Sequence, residues 1–178
     1  MQNWMVIEEE YLNYLRSVEK RIPFSNYGED KYKPFFGKLF SVEGLAYVTQ
    51  ISHPQPRHKY VKNNLDFYKI YIPDSNPLLP DRFVAVVNLN YMFPIKEELL
   101  VPLKYAEIDK HREFSTEVEK SLYIDLLKKE LVAINKLPLE KKALSLYNLK
   151  KDKPDHPVSL RCIDFQSLEK FARDYIKE

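Results

Sequence analysis

Two histidines, a serine and several cations crowd into one stretch, Ser52-His53-Pro54-Gln55-Pro56-Arg57-His58-Lys59-Tyr60, with no acid among them. Imidazole titrates near neutrality, and guanidinium and ammonium groups attract phosphate, so the set suits chemistry on a polyanion. A second group lies upstream, where Tyr27, Lys31, Tyr32 and Lys33 interleave aromatics with cations in a segment rich in loop-forming residues. Between residues 31 and 62 the cations Lys31, Lys33, Lys38, Arg57, Lys59 and Lys62 face one acid, Glu43, giving a local charge of +5 on a chain whose total is +2. Such a patch would neutralise several phosphates, and Tyr27, Tyr32 and Tyr60 could stack on unpaired bases. The plainer alternative is a pair of solvated loops.

Cutting RNA without a metal requires a base for the 2′-hydroxyl, donors for the charged phosphorus centre and an acid for the departing 5′-oxygen. Ser52, His53, His58, Lys59, Lys33 and Tyr27 are the right residue types. Ser52 need not be a nucleophile, because the substrate's own hydroxyl attacks; it could relay a proton or donate to the phosphate. No metal site is expected, since His53 and His58 stand five apart in a proline-broken loop with few carboxylates nearby. Neither GxGxxG nor GxxxxGK[ST] occurs, so no nucleotide cofactor is expected, and no G-x-S-x-G elbow is present. His111 and His156 lie in charged segments read as exposed and incidental. Cys162 is the sole cysteine, which excludes an intrachain disulfide and fits a reducing cytoplasm; its setting suggests a packed, inert thiol. Neither a signal-peptide pattern nor a run of roughly 18 apolar residues appears, so no membrane partner is expected.

The elements that must position these groups can be read from periodicity. Trp4 to Ile7 reads as a strand, and Glu8 to Val18 as a helix with Tyr11, Leu12, Leu15 and Val18 on one face. Phe35 to Ser41 and Leu45 to Ile51 read as strands joined by a hairpin turn at Val42-Glu43-Gly44. Leu65 to Ile72 and Arg82 to Leu89 are further strands, Asn90 to Pro94 a turn, and Leu99 to Ile108 a last strand broken at Pro102. Thr116-Glu117-Val118-Glu119 forms a capping box ahead of a helix with Leu122, Leu126, Leu127, Leu131 and Ile134. Pro138 opens a second helix, Lys150 to Pro157 is a charged connection, and Asp164 caps a last helix. A β-rich half to about residue 108 and a helical half thus form one α+β domain over 1–178, its strands favouring a small barrel or strongly curved sheet.

Four stretches, in order, carry a resemblance to a known family: Tyr11-Leu12-Asn13-Tyr14-Leu15; Lys33-Pro34-Phe35-Phe36-Gly37; Ser52-His53-Pro54 with Arg57-His58-Lys59; and Val87-Asn88-Leu89-Asn90-Tyr91-Met92-Phe93-Pro94-Ile95. With the helical tail they make the chain resemble the ToxN/AbiQ toxins of bacterial type III toxin–antitoxin systems. The resemblance implies a compact antiparallel SH3-like β-barrel related to the MazF/Kid toxins and elaborated with helices. It implies a metal-independent endoribonuclease that leaves a 2′,3′-cyclic phosphate on cellular or phage RNA. It also implies inhibition by a folded repeat RNA antitoxin in a closed toxin–RNA assembly, with a role in abortive infection against phage. By position, Ser52 matches the family's active-site Ser/Thr, Lys33 its loop lysine and Tyr27 its loop tyrosine. His53 stands where another small hydroxyl residue is expected. Lys31, Tyr32, Arg57, Lys59, Tyr60 and Lys62 are then the expected RNA-gripping flank. A non-catalytic RNA-binding module would explain the same basic, tyrosine-rich loops, and a protein-interaction domain would leave them merely solvated.

Overall fold

The structure is a computed structural model that describes residues 2–28 and 30–177. Its first strand, β1 (Asn3–Val6), leads into helix α1 (Glu9–Arg16), which has two acids in its first turn and Arg16 in its last. Those charges oppose the helix dipole at both ends, while Tyr11, Leu12 and Leu15 turn inward. β2 (Phe35–Gly37) and β3 (Ser41–Val42) follow where one continuous strand was expected. The hairpin into β4 (Leu45–Ser52) turns at Glu43 (φ +47°) and Gly44 (φ +81°). Two successive left-handed residues match the right-handed twist of the flanking strands, which is why a glycine serves there. A glycine is also needed at Gly37, where an added Cβ would come within 2.7 Å of Val48 Cγ1.

β4 is the spine of the sheet, buried from Leu45 to Ile51. β2 and β3 pair along one edge, with Phe35 opposite Gln50 and Ser41 opposite Ala46. β6 (Arg82–Asn88) and β7 (Phe93–Lys96) take the other edge, with Ser52 opposite Val86 and Leu45 opposite Lys96. β5 (Phe67–Ile72) extends the sheet beyond β6, and β8 (Val101–Pro102) pairs with β1. Every pairing is antiparallel, and the path β5-β6-β4-β2-β1-β8 is open at both ends among the described residues. The architecture is therefore α+β on an open antiparallel sheet.

β7 begins inside the segment Asn90 to Pro94, which was expected to be a turn. The proline is accommodated because Tyr47, directly opposite, directs its N–H to Phe40 and its C=O to the Leu39 N–H on the other edge. No ladder bond is then asked of the missing proline N–H.

The helical half begins with a 3-10 turn at Tyr105–Lys110, where a strand was expected, and continues into α2 (Glu117–Ile134). Thr116 caps α2 through the Glu119 N–H, as expected, but the Glu119 carboxylate reaches the N–H of Ser115. The buried face of α2 carries Leu127, Glu130 and Ile134, while Leu122, expected in the stripe, is 65% exposed. α3 (Leu139–Asp152), a short unexpected α4 (Pro157–Arg161) that starts where the expected connection ends, and α5 (Phe165–Asp174) follow. α2 is tied across the sheet by Trp4, whose indole N–H donates to the Leu127 carbonyl at 2.9 Å.

Candidate active site

Strand β4 ends at Ser52, and the chain continues as His53 over the side of the sheet that carries the segment 23–34. That segment is anything but a free loop. Gln50, buried in an otherwise mostly apolar strand, donates to the carbonyls of Phe24 (2.7 Å) and Lys33 (3.2 Å) and accepts the Tyr27 hydroxyl at 3.0 Å. The Lys33 N–H donates to Ser25 at 2.8 Å, and the Ser25 hydroxyl to the Glu9 carboxylate at 2.6 Å. Arg16, paired with Glu9, donates to the Pro23 carbonyl and lies 3.8 Å above the Phe24 ring. Helix α1 and one glutamine on β4 therefore fix the backbone that carries Tyr27 and Lys33.

The result is a cavity of about 540 Å³. Tyr27, Asp30, Lys31, Tyr32 and Lys33 reach it from the loop, Ile51 and Ser52 from β4, His53 from just beyond it, Trp4 from β1 and Ala85 from β6. Arg112, Tyr123, Leu126, Leu127 and Glu130 close it from the helical half. The Lys33 ammonium sits 4.9 Å from the Tyr27 ring centroid, a cation–π distance. Burial of Lys33 lowers its pKa, because the charged form is poorly solvated. The His53 pKa is lowered too, first by desolvation and then by the positive charges of Lys33 and Arg112. His53 is thus neutral near pH 7 and can accept a proton. Burial raises the Tyr27 pKa, so its hydroxyl stays a donor. The site offers a fixed cation, a neutral imidazole and two hydroxyls in one recess.

Not every expected residue comes here. His58 is buried away from the cavity, with its Nδ1 accepting the Gln55 N–H at 2.8 Å and its ring 5.5 Å from that of Phe67. It locks the 3-10 turn Pro56–Lys59. Arg57, Lys59, Tyr60 and Lys62 are exposed outside the cavity, Tyr60 at 88%. Tyr32 is 5% exposed and stacks on His111 at 5.0 Å, so its ring is a wall of the cavity and His111 is a packing partner. Cys162 is buried, and burial pushes its thiol up to about 11, away from nucleophilic duty.

Four contributors escaped the sequence reading: Gln50, Arg112, Tyr123 and Glu130. Gln50 and Glu130 carried a signal, a polar residue inside an apolar periodicity. Arg112 and Tyr123 carried none. Among the described residues no three His, Cys, Asp or Glu side chains gather as a metal site, and no helix is long and apolar enough to cross a membrane.

A family model for toxin ToxN of type III toxin–antitoxin systems matches residues 3–173. Among solved structures, a type III toxin selectively inhibited by a non-coding RNA pseudoknot is 23% identical, with 98% of this chain and 97% of that chain covered and a TM-score of 0.72. A bacterial antiviral system regulated by a processed non-coding RNA is 22% identical over 98% and 99% of the chains, TM-score 0.72. AbiQ, a lactococcal anti-phage endoribonuclease, is 16% identical over 97% and 96%, TM-score 0.73. No curated protein sequence matches the chain significantly. Likeness at these identities is a likeness of fold.

Proposed function

We propose that this chain, which belongs to the ToxN toxin family of type III toxin–antitoxin systems, is a metal-independent endoribonuclease held in check by a folded repeat RNA. The observation that carries the reading is the convergence of Tyr27 and Lys33 with Ser52 and His53 on one cavity from two separated segments. In this reading the phosphodiester lies against Lys33, whose ammonium gains an anionic partner. Neutral His53 takes the proton of the 2′-hydroxyl as that oxygen attacks phosphorus. Lys33 and the Ser52 hydroxyl stabilise the charge that builds on the phosphoryl oxygens. Lys33, with its pKa lowered, is also the group suited to protonate the leaving 5′-oxygen. Tyr27, anchored to Gln50, orients Lys33 by its ring face. The products are a 2′,3′-cyclic phosphate and a 5′-hydroxyl.

The partner in this reading is the repeat RNA antitoxin, in a closed toxin–RNA assembly, and the outcome of release is growth arrest during phage infection. The exposed Arg57, Lys59, Tyr60 and Lys62 belong to the gripping surface, outside the recess where the bond breaks. The open sheet, with β4 as its shared spine, stands in for the MazF/Kid-type barrel that the resemblance implies. His58 is given no catalytic part, since its ring nitrogen is engaged within its own turn.

Incubating the purified chain with cellular RNA in excess EDTA tests the chemistry. Defined cuts with cyclic-phosphate ends are expected, with far fewer from Ser52→Ala. Cleavage that appears only on adding a divalent metal would overturn it. A non-catalytic RNA-binding module would leave the RNA intact and tolerate Ser52→Ala.

A further inference from the structure

The cavity is larger and more apolar than a phosphodiester requires. Beside the polar groups Asp30, Lys31, Arg112 and Glu130, its wall carries the apolar surface of Trp4, Tyr123, Leu126, Leu127 and Ala85. A phosphate gains nothing from such a surface, whereas a flat base gains stacking and burial. At about 540 Å³ the cavity falls in the range of small-molecule sites, on the order of 300–1,000 Å³.

Its polar groups are under-used. Glu130, from the buried face of α2, is 6% exposed. Burial alone pushes its carboxyl up to about 7, with no cation opposing the shift. The Tyr32 hydroxyl and the Arg112 Nε–H, from two more residues of the same wall, are buried without a hydrogen-bond partner among the described residues. Buried polar groups are normally paired, so a ligand entering the cavity could supply the partners of these two. A carboxyl near half-protonation can both donate and accept, which is what the edge of a base presents.

We propose that this cavity receives an extruded nucleobase next to the scissile phosphate, and that Glu130 reads the edge of that base. The inference rests on the RNA-cutting reading above and extends it to sequence selectivity, with Glu130 as a specificity residue. The stacking surface comes from the aromatic wall, and the discrimination from the buried carboxyl.

Trp4 is the only tryptophan in the chain and lines the cavity, so its emission reports occupancy without any cleavage. The test is to titrate the full chain with each of the four ribonucleoside 5′-monophosphates. The expected result is a saturable change with the tightest and weakest bases separated by about tenfold. Glu130→Gln should narrow that spread to about threefold or reorder it. Leu126→Phe, which adds bulk to the wall, should weaken all four together, and it serves if Glu130→Gln fails to fold. No saturable change in the wild type, or an unaltered ranking and spread in Glu130→Gln, overturns the inference. A chain that discriminates between bases yet cuts no RNA would keep the pocket and lose the nuclease reading.

Discussion

His53 and His58 sit in one loop, five residues apart, and have opposite fates. His53 lies exposed on the wall of the cavity, with the charges of Lys33 and Arg112 acting on it. His58 is buried, its Nδ1 engaged by the Gln55 N–H and its ring set against Phe67. Both have lowered pKa values, and desolvation is the leading cause in each. The same direction of shift therefore accompanies a cavity-lining ring in one case and a buried structural plug in the other. What separates them is place: His53 lines the cavity, whereas His58 is buried outside it with Nδ1 engaged in its own turn. A perturbed titration marks a functional site only when the geometry leaves the group free to act.

The comparison can be sharpened by breaking its parts. The largest expected effect is Lys33→Ala, which removes the cation held against the Tyr27 ring and should slow cleavage by about a thousandfold with little change in Tm. Single-turnover rates and a thermal melt check both halves. Next comes the acid stability of the loop. Because the folded His58 pKa lies below its unfolded value, the neutral ring stabilises the fold above about pH 6.5, and that contribution is lost as pH falls through the lower folded pKa. Denaturant midpoints measured from pH 7 to pH 5 should fall more steeply in the wild type than in His58→Gln. The smallest effects belong to the outer flank. Arg57→Ala and Lys62→Ala should each weaken RNA binding modestly, reduce the salt slope by about 1, and leave the cleavage pattern unchanged.

Much of the scaffold was legible because it rests on local chemistry. The Glu43-Gly44 turn, the Thr116 and Asp164 caps and the apolar face of α1 are all written in a few adjacent residues. β7 was not legible, since tolerance of Pro94 depends on which edge of Tyr47 is already bonded, and that partner lies some 50 residues away. The barrel expected from the resemblance is drawn here as an open sheet, because closure depends on pairings between distant strands that no local pattern encodes.

At the site, residue types in two basic segments pointed to Tyr27, Lys33, Ser52 and His53, which do share one cavity. The same signal over-reached to His58, because a hydrogen bond made three residues upstream has no signature in composition. It missed Arg112, Tyr123 and Glu130, which arrive from the helical half and join the site only through tertiary packing.

The most direct measurement is a pair of single-turnover cleavage rates in EDTA, for His53→Ala and His58→Ala, each corrected for its folded fraction. The account predicts a loss of about a hundredfold for His53→Ala, as for removal of a general base. It predicts a rate within about threefold of wild type for His58→Ala, together with a fall in Tm of about 3–8 °C from losing its cap. Equal losses in the two variants, or a greater catalytic loss at His58, would contradict it.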